Sequence, residues 1–499
     1  MEYVIGCDLG SQGTKAALLS TTGQLIWESY EGYPIDYPRP LRAEQPVDRW
    51  LDALAVCLRR LLSESGVAAR NVLALSLAAQ VDGVIPVDTD GRPLHPAIIW
   101  MDRRAGAQCE HVRQYFDDEE IFQITGLNLD PSHVAPKIRW LADEQPGVYE
   151  RATHFLLPGS YIGYALTGEL GVDFSNASST LLLDVNTKTW SAIMGNAFNI
   201  DLNKLAPLGS ATATLGKLRP NMAEKLGLNP ATPVMVGCGD EHAACLGAGV
   251  IKPGIVGDIA GTGEPVCTAS SKPTFDPARV VETHCHADPE LWLLENPGFV
   301  SGGNYRWFRD QFTAGETYAT LDSEAARIAP GADGLIFLPS LMGALTPTWN
   351  DTARGTYAGF TLAHTRGHFI RALLEGSAYS VRDIITQMQV AGMELRELRV
   401  VSGGAKSRLW NQIKADVTGL QVNVPEITET TALGAAFLAL VGIGVYGTLT
   451  EVSEHIVKIR EHIEPNPASI SMYEEAYERY RQTYFAMLPV FEKAAGRTG

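Results

Sequence analysis

Two short glycine turns, one in each half of the chain, limit the possible folds more than any other feature. The first, Asp8-Leu-Gly-Ser-Gln-Gly-Thr14, follows an apolar run at residues 3–7 and precedes a second strand-like run at 16–19. The second, Asp258-Ile-Ala-Gly-Thr-Gly-Glu264, lies in "GVIKPGIVGDIAGTGEPVCTAS" and again separates two strand-like runs. Strands on both sides exclude a P-loop, which ends in Gly-Lys-Ser/Thr and opens a helix, and a dinucleotide fingerprint, whose glycines join a strand to a helix. What remains is a hairpin: either an ordinary glycine-rich β-turn or a concavity of backbone N–H groups and small hydroxyls suited to a phosphate. The hairpin recurs with an acidic residue at its entrance each time, which predicts a duplicated domain. Two such hairpins facing one cleft would grip a polyphosphate from both sides.

At 499 residues the chain is too long for one core, so two domains of about 250 residues are expected, 1–246 and 247–499. Strand-like runs at 72–77, 83–87 and 233–238 alternate with helical stretches at 47–63 and 135–144, the pattern of an α/β domain. A formal charge of −17 argues against nucleic-acid and anionic-membrane partners, which draw on excess Lys and Arg. It leaves room for an anionic nucleotide, held by a few local donors and a metal ion. The seven cysteines form no CxxC pair and their number is odd, as expected in a reducing cytoplasm. In "HCH", His284 and His286 flank Cys285, and alternation along a strand argues against a metal site there. Glu2 and Asp8 stand where a signal peptide has basic and then apolar residues. The apolar run 432–447 is short of the roughly 20 residues of a membrane span and is expected as a buried helix and a turn.

The candidate chemistry lies in "TPVMVGCGDEHAACLGAG", where an apolar strand meets Gly239 and Asp240 and an alanine-rich helix starts at once. A carboxylate there is an N-cap, a base projecting into the cleft, or both. His242 is expected to pack on the helix. In "LRVVSGGAKSRLWNQ" a strand, Gly403-Gly404 and a helix would let a base or ribose lie against backbone. Tyr473, Tyr477, Tyr480 and Tyr484 have helical spacing and are expected to form a docking face. A hinge between the halves is expected at 248–254.

Together, DLGSQGTK (8–15), GCGD (237–240), GTG (261–263), SGGAKS (402–407) and ETTALGAAFLA (429–439) resemble the FGGY carbohydrate kinases, members of the actin-like, hexokinase-like ATPase superfamily. WMDRRA (100–105) and KIRWLADEQP (137–146) extend the likeness along nearly the whole chain. The resemblance implies an α/β fold of two ribonuclease-H-like domains around a central cleft, with the sugar mainly on the first and ATP mainly on the second. It implies Asp240 as general base and Asp8 as the residue that orients Mg²⁺. Ser11, Gln12, Gly13, Thr14 and Lys15 would form the first phosphate turn, with Thr14 and Lys15 near the transferred phosphate. Gly261, Thr262 and Gly263 would form the second, and Gly403, Gly404, Ala405 and Ser407 would border the adenosine. For the sugar it points to Gln80, Val81, Asp82, Trp100, Asp102 and Arg103 beside Asp240.

The "LAAQVDGVIPVD" segment resembles the xylulokinases' Gln-Met-His-Gly, with Val81 for Met and Asp82 for His. Val134 departs from the small residue usual three places before Lys137, and Ala344-Leu345 replaces a charged pair. The expected reaction is ATP-dependent phosphorylation of D-xylulose. Another polyol or ketose (glycerol, ribulose, a tetritol) is the alternative, and an actin-like or chaperone-like nucleotide switch the rival of a different class. A homodimer is among the assemblies this reading allows.

Overall fold

The computed structural model describes residues 1–298 and 300–496. The first sheet contains β1 (Tyr3–Leu9), β2 (Gly13–Ser20), β3 (Leu25–Gly32), β4 (Val72–Ala79), β5 (Thr214–Lys217), β6 (Pro233–Met235) and β7 (Cys238–Gly239). Its order is β5-β6-β4-β1-β2-β3, with β7 also paired to β4. β1 to β3 form an antiparallel meander, and β4 lies parallel to β1. β1 is buried along almost its whole length, which accounts for a continuous apolar run instead of an alternating one. The amphipathic helix α1 (Val47–Ser65) packs its apolar face on β2 and β3.

The second sheet repeats the plan with β8 (Ile255–Ile259), β9 (Val266–Ser270), β10 (Glu282–Cys285), β11 (Trp292–Asn296), β12 (Glu397–Val401), β13 (Gln421–Pro425) and β14 (Ile459–Ile463). Its order is β10-β11-β9-β8-β12-β13-β14. Around β8, an antiparallel partner on one side and a parallel strand on the other match the surroundings of β1. The expected duplication is therefore present as two sheets of the same plan.

Two helices join the sheets. α2 (Asp240–Ala248) leaves β7, and α3 (Thr431–Gly442) packs against α2 and lies on β1 and β4 of the first sheet, although it belongs to the second half of the sequence. A Cβ on Gly6 of β1 would lie 2.0 Å from the Ala432 carbonyl oxygen, so only glycine lets strand and helix approach this closely.

Several expectations are refined. The strand expected at 233–238 is split because Gly237 adopts φ 82° against the Leu77 carbonyl. The expected hinge at 248–254 is pinned to the second sheet: Arg399 of β12 donates to the carbonyls of Ala248 and Gly249 at 3.0 and 2.9 Å. The tyrosine stripe docks as expected, with Tyr473, Tyr480 and Tyr484 of the helix Ile470–Ala494 buried and their hydroxyls bonded.

Candidate active site

The two hairpins, the start of α2 and the Ser402–Ser407 turn converge on the seam between the sheets. In the first turn Gly10 N–H donates to the Gly13 carbonyl at 3.1 Å. Ser11 is half-buried and Gln12 is exposed. Gly13 backs onto the Tyr30 ring and has no room for a side chain. Asp8, at the end of β1, is paired in register with Lys15. Burial pushes the Asp8 carboxyl up to about 7, the Asp240 charge adds to this, and Lys15 opposes it. Lys15 is ion-paired with Glu429, a contact that ties the first hairpin to the segment leading into α3. Thr14 departs from its expected role: it is fully buried, so its side chain does not reach the cleft.

The second turn presents Thr262 and Gly263 to solvent. The Thr262 carbonyl accepts from Ser301 and Gly303 N–H, both at 3.1 Å, and Gly261 lies against Gly302. Its entrance acid, Asp258, is fully buried and held with Glu264 by Lys414, so it has no access to a ligand. In the third element Ser402 is held at φ 67°, and Gly404 N–H donates to the Ala260 carbonyl at 2.8 Å. Gly403 is exposed and Ala405 buried. Ser407 accepts from Trp410 N–H as the cap of the helix Arg408–Thr418 and donates to Asp322 at 2.7 Å.

Asp240 is the first residue of α2, with Gly239 as its N-cap residue. Its carboxylate accepts from the adjacent Glu241 N–H at 3.0 Å, and because Gly239 holds the N-cap position it does not close the helix end in the usual N-cap manner. Burial first, then the Glu241 charge, raises its carboxyl to about 7. The junction is held from behind. Gly239 N–H donates to Ser175 Oγ at 3.1 Å, and Ser175 N–H donates to the buried Asp173 at 2.8 Å. Neither Asp173 nor Ser175 carries a motif in the sequence.

Beside the first turn, a relay fixes Ser11. Trp100 Nε1 donates to Ser11 Oγ at 2.7 Å, and Gln45 Nε2 donates to the Ser11 carbonyl at 2.8 Å. Gln80 Nε2 donates to Gln45 Oε1 at 3.0 Å. Gln45 was not signalled by the sequence, since an isolated glutamine forms no pattern. Val81 and Asp82 are partly exposed beside this relay. Asp82, at φ 57°, accepts from His133 Nδ1 at 3.1 Å. Burial disfavours a charged imidazole, yet the Asp82 carboxylate raises His133 to about 9. Lys137 is fully buried and donates to the carbonyls of Asp82, Ile99 and Ser132. It thereby pins the Asp82 and Trp100 loops together.

Asp102 is a correction. Fully buried, it accepts from Ala43 N–H at 2.7 Å and from Arg104 Nε at 2.8 Å, which takes its oxygens away from any sugar. Arg103 holds Asp130 bidentately at 2.9 and 2.7 Å and stays half exposed.

The sequence matches the model of the FGGY family of carbohydrate kinases, N-terminal domain, at residues 3–247 and that of its C-terminal domain at 259–443. The chain belongs to the FGGY family of carbohydrate kinases. It is 31% identical to the xylulose kinase of Lactococcus lactis subsp. lactis (strain IL1403), over 97% of each chain. It is 27% identical to the gluconokinase of Bacillus subtilis (strain 168), over 98% of this chain and 94% of the relative. Among solved structures, the xylulose kinase from Rhodospirillum rubrum superposes with a TM-score of 0.90 at 28% identity, covering 98% of this chain and 100% of that one. This FGGY kinase is thus a sugar phosphotransferase that uses ATP, on a fold of the actin/hexokinase type. Among the described residues, no helix is long and apolar enough to cross a membrane.

Proposed function

We propose that this FGGY kinase transfers the γ-phosphoryl group of ATP to a hydroxyl of a ketopentose, D-xylulose first, with Asp240 as general base. The observation that carries the reading is the Asp240 carboxylate: it stands at the start of α2, partly exposed, held by the Glu241 N–H, and raised to about 7. A carboxylate with that proton affinity accepts a proton from an attacking hydroxyl near neutral pH and still releases it afterwards. The Asp173–Ser175–Gly239 relay fixes its position from behind the cleft.

The exposed turns at Thr262, Gly263 and Gly403 are assigned to the nucleotide, where backbone carries most of the positioning that phosphoryl transfer needs. Asp8 is assigned to Mg²⁺. Its carboxyl, raised by burial and by Asp240, lies in an excess of negative charge that a divalent cation relieves, so the residues present fit the ion. A single carboxylate is enough, because Mg²⁺ keeps waters and takes substrate phosphates as its other ligands. When bound, Mg²⁺ neutralises charge on the phosphate oxygens. Lys15 is assigned to the phosphate after release from Glu429, and Asp82, with Gln80 behind it, to the sugar hydroxyls.

The names of the relatives support a sugar acceptor, and the xylulose kinases among them support D-xylulose. The test is sugar-dependent ADP release. D-xylulose should be the best acceptor in a panel with D-ribulose, glycerol and erythritol, and glycerol or erythritol turned over as fast would remove the ketopentose assignment.

A further inference from the structure

Asp82 is held by a histidine that no motif in the sequence singles out. His133 occupies the N-cap position of the helix Val134–Glu144, yet its ring makes no capping bond to that helix. The ring turns to the Asp82 loop instead: Nδ1 lies 3.1 Å from Asp82 Oδ1 and 2.9 Å from the Ser179 carbonyl oxygen. A carbonyl only accepts, so Nδ1 carries the hydrogen and donates to both oxygens. Nε2 is buried without a partner among the described residues, so the hold on Asp82 runs through Nδ1.

The same contacts bring Asp82 to Asp240. Ser179 follows directly on the short helix Phe174–Ser178, whose Ser175 Oγ accepts from the N–H of Gly239, the residue before Asp240. One stretch of chain therefore carries both supports, Ser175 toward Asp240 and Ser179, through His133, toward Asp82. Val81 closes the gap between them: a Cβ on Gly239 would lie 2.8 Å from Val81 Cγ1. After burial and the Glu241 charge, the Asp82 charge is among the causes that raise Asp240, as expected of nearby carboxylates. The backbone of Asp82, at φ 57°, is in a conformation uncommon outside glycine, so its place depends on its contacts. Lys137 holds its carbonyl at 2.7 Å and His133 its carboxylate, while the Asp82 side chain stays 13% exposed.

We infer that His133 is a positioning residue of the acceptor site, holding Asp82 Oδ1 so that Oδ2 meets a substrate hydroxyl beside Asp240, a role that rests on the assignment of Asp82 to the sugar. A carboxylate free to turn must be ordered when the sugar binds, and one held in advance escapes that cost. Because His133 donates to it, Asp82 faces the sugar as an acceptor, and the group it reads is a hydroxyl.

The test is sugar-dependent ADP release by the full chain with Mg-ATP and the best acceptor among D-xylulose, D-ribulose, glycerol and erythritol. Wild type, Asp82→Ala, His133→Leu, His133→Asn and the double variant Asp82→Ala/His133→Leu are compared. His133→Leu should raise the KM for the sugar by about 10-fold, the order of one lost hydrogen bond to a charged group, while kcat and the KM for ATP stay within about 3-fold. His133→Asn, whose amide can donate from near the Nδ1 position, should return the sugar KM to within about 3-fold of wild type. The double variant should bind the sugar no worse than Asp82→Ala alone, because the two residues act as one unit. Should His133→Leu not fold, His133→Gln, whose amide reaches toward the Nε2 position, replaces it in the same comparison. An unchanged sugar KM in His133→Leu beside a weakened Asp82→Ala overturns the inference and leaves Asp82 on the sugar. Additive losses in the double variant, or His133→Asn as poor as His133→Leu, also overturn it. If Asp82→Ala itself binds the sugar normally, the assignment of Asp82 falls and this role with it. If the pattern holds with an acceptor other than D-xylulose, the ketopentose reading falls and the role of His133 stands.

Discussion

Lys414 Nζ lies 2.5 Å from Asp258 Oδ2 with both side chains fully buried, so the entrance acid of the second hairpin anchors the domain wall. Its counterpart in the first hairpin, Asp8, is partly exposed, and the neighbouring Lys15 is ion-paired with Glu429. The duplication therefore kept the acid in both halves and gave it two roles. Replacing Lys414 with Met would leave Asp258 and Glu264 facing each other without a counter-charge. Lys414→Met should lose about 3–5 kcal/mol in urea denaturation, the usual penalty for removing one member of a buried ionic group. A loss below about 1 kcal/mol would mean that the acids are accommodated without the lysine.

Asp82 and Asp102 look alike in the sequence and differ in the structure. Asp82→Ala should lower kcat/KM for the acceptor sugar by about 10- to 100-fold, since its carboxylate is partly exposed in the cleft. Asp102→Asn should act on stability instead, lowering the melting temperature by breaking the Arg104 pair while the KM of the folded variant stays near that of the wild type. A large KM effect from Asp102→Asn at unchanged stability would return that residue to the sugar site.

Activity and stability should respond to pH in opposite directions. Asp8 and Asp240 are raised to about 7, and Glu282 and Glu295 to about 7 and about 8, mainly by burial. His133, against the effect of burial, is raised to about 9 by Asp82. These groups bind protons more tightly in the folded chain than in the unfolded one. For the acids the contribution is complete below about 4 and is lost as pH rises to 7 or 8, and for His133 it is complete below about 6.5 and is lost as pH rises to about 9. A base at Asp240 needs the ionised form. Between pH 6 and 8 kcat/KM should rise while the melting temperature of the ligand-free protein falls. A melting temperature that climbs over that range would contradict the burial of these acids.

Much of the fold was legible because its signals are local. Glycine turns between apolar runs, helical spacing of the tyrosines and the strand-to-helix junction at Asp240 each need only neighbouring residues to declare themselves. What was not legible depends on distance along the chain. That α3 lies on the first sheet is decided by contact between Gly6 and Ala432, far apart in sequence. Asp258 looks equivalent to Asp8 in the sequence because the lysine that neutralises it, Lys414, is 156 positions away. Asp102 lost its expected role to Arg104, two residues on, because burial of the pair is not visible in the letters. Gln45 bridges Ser11 and Gln80, and Ser175, held by Asp173, reaches Gly239 across 64 positions, contacts that leave no pattern to recognise.

The central claim is that Asp240 takes the proton from the acceptor hydroxyl, and the direct measurement is single-turnover phosphoryl transfer by Asp240→Asn beside calorimetric binding of D-xylulose and a non-hydrolysable nucleotide. A positioned base contributes about 10²- to 10⁴-fold, so the transfer rate should fall by that order while both ligands still bind. A folded variant that transfers phosphate within a few-fold of the wild-type rate would leave Asp240 only the first residue of its helix.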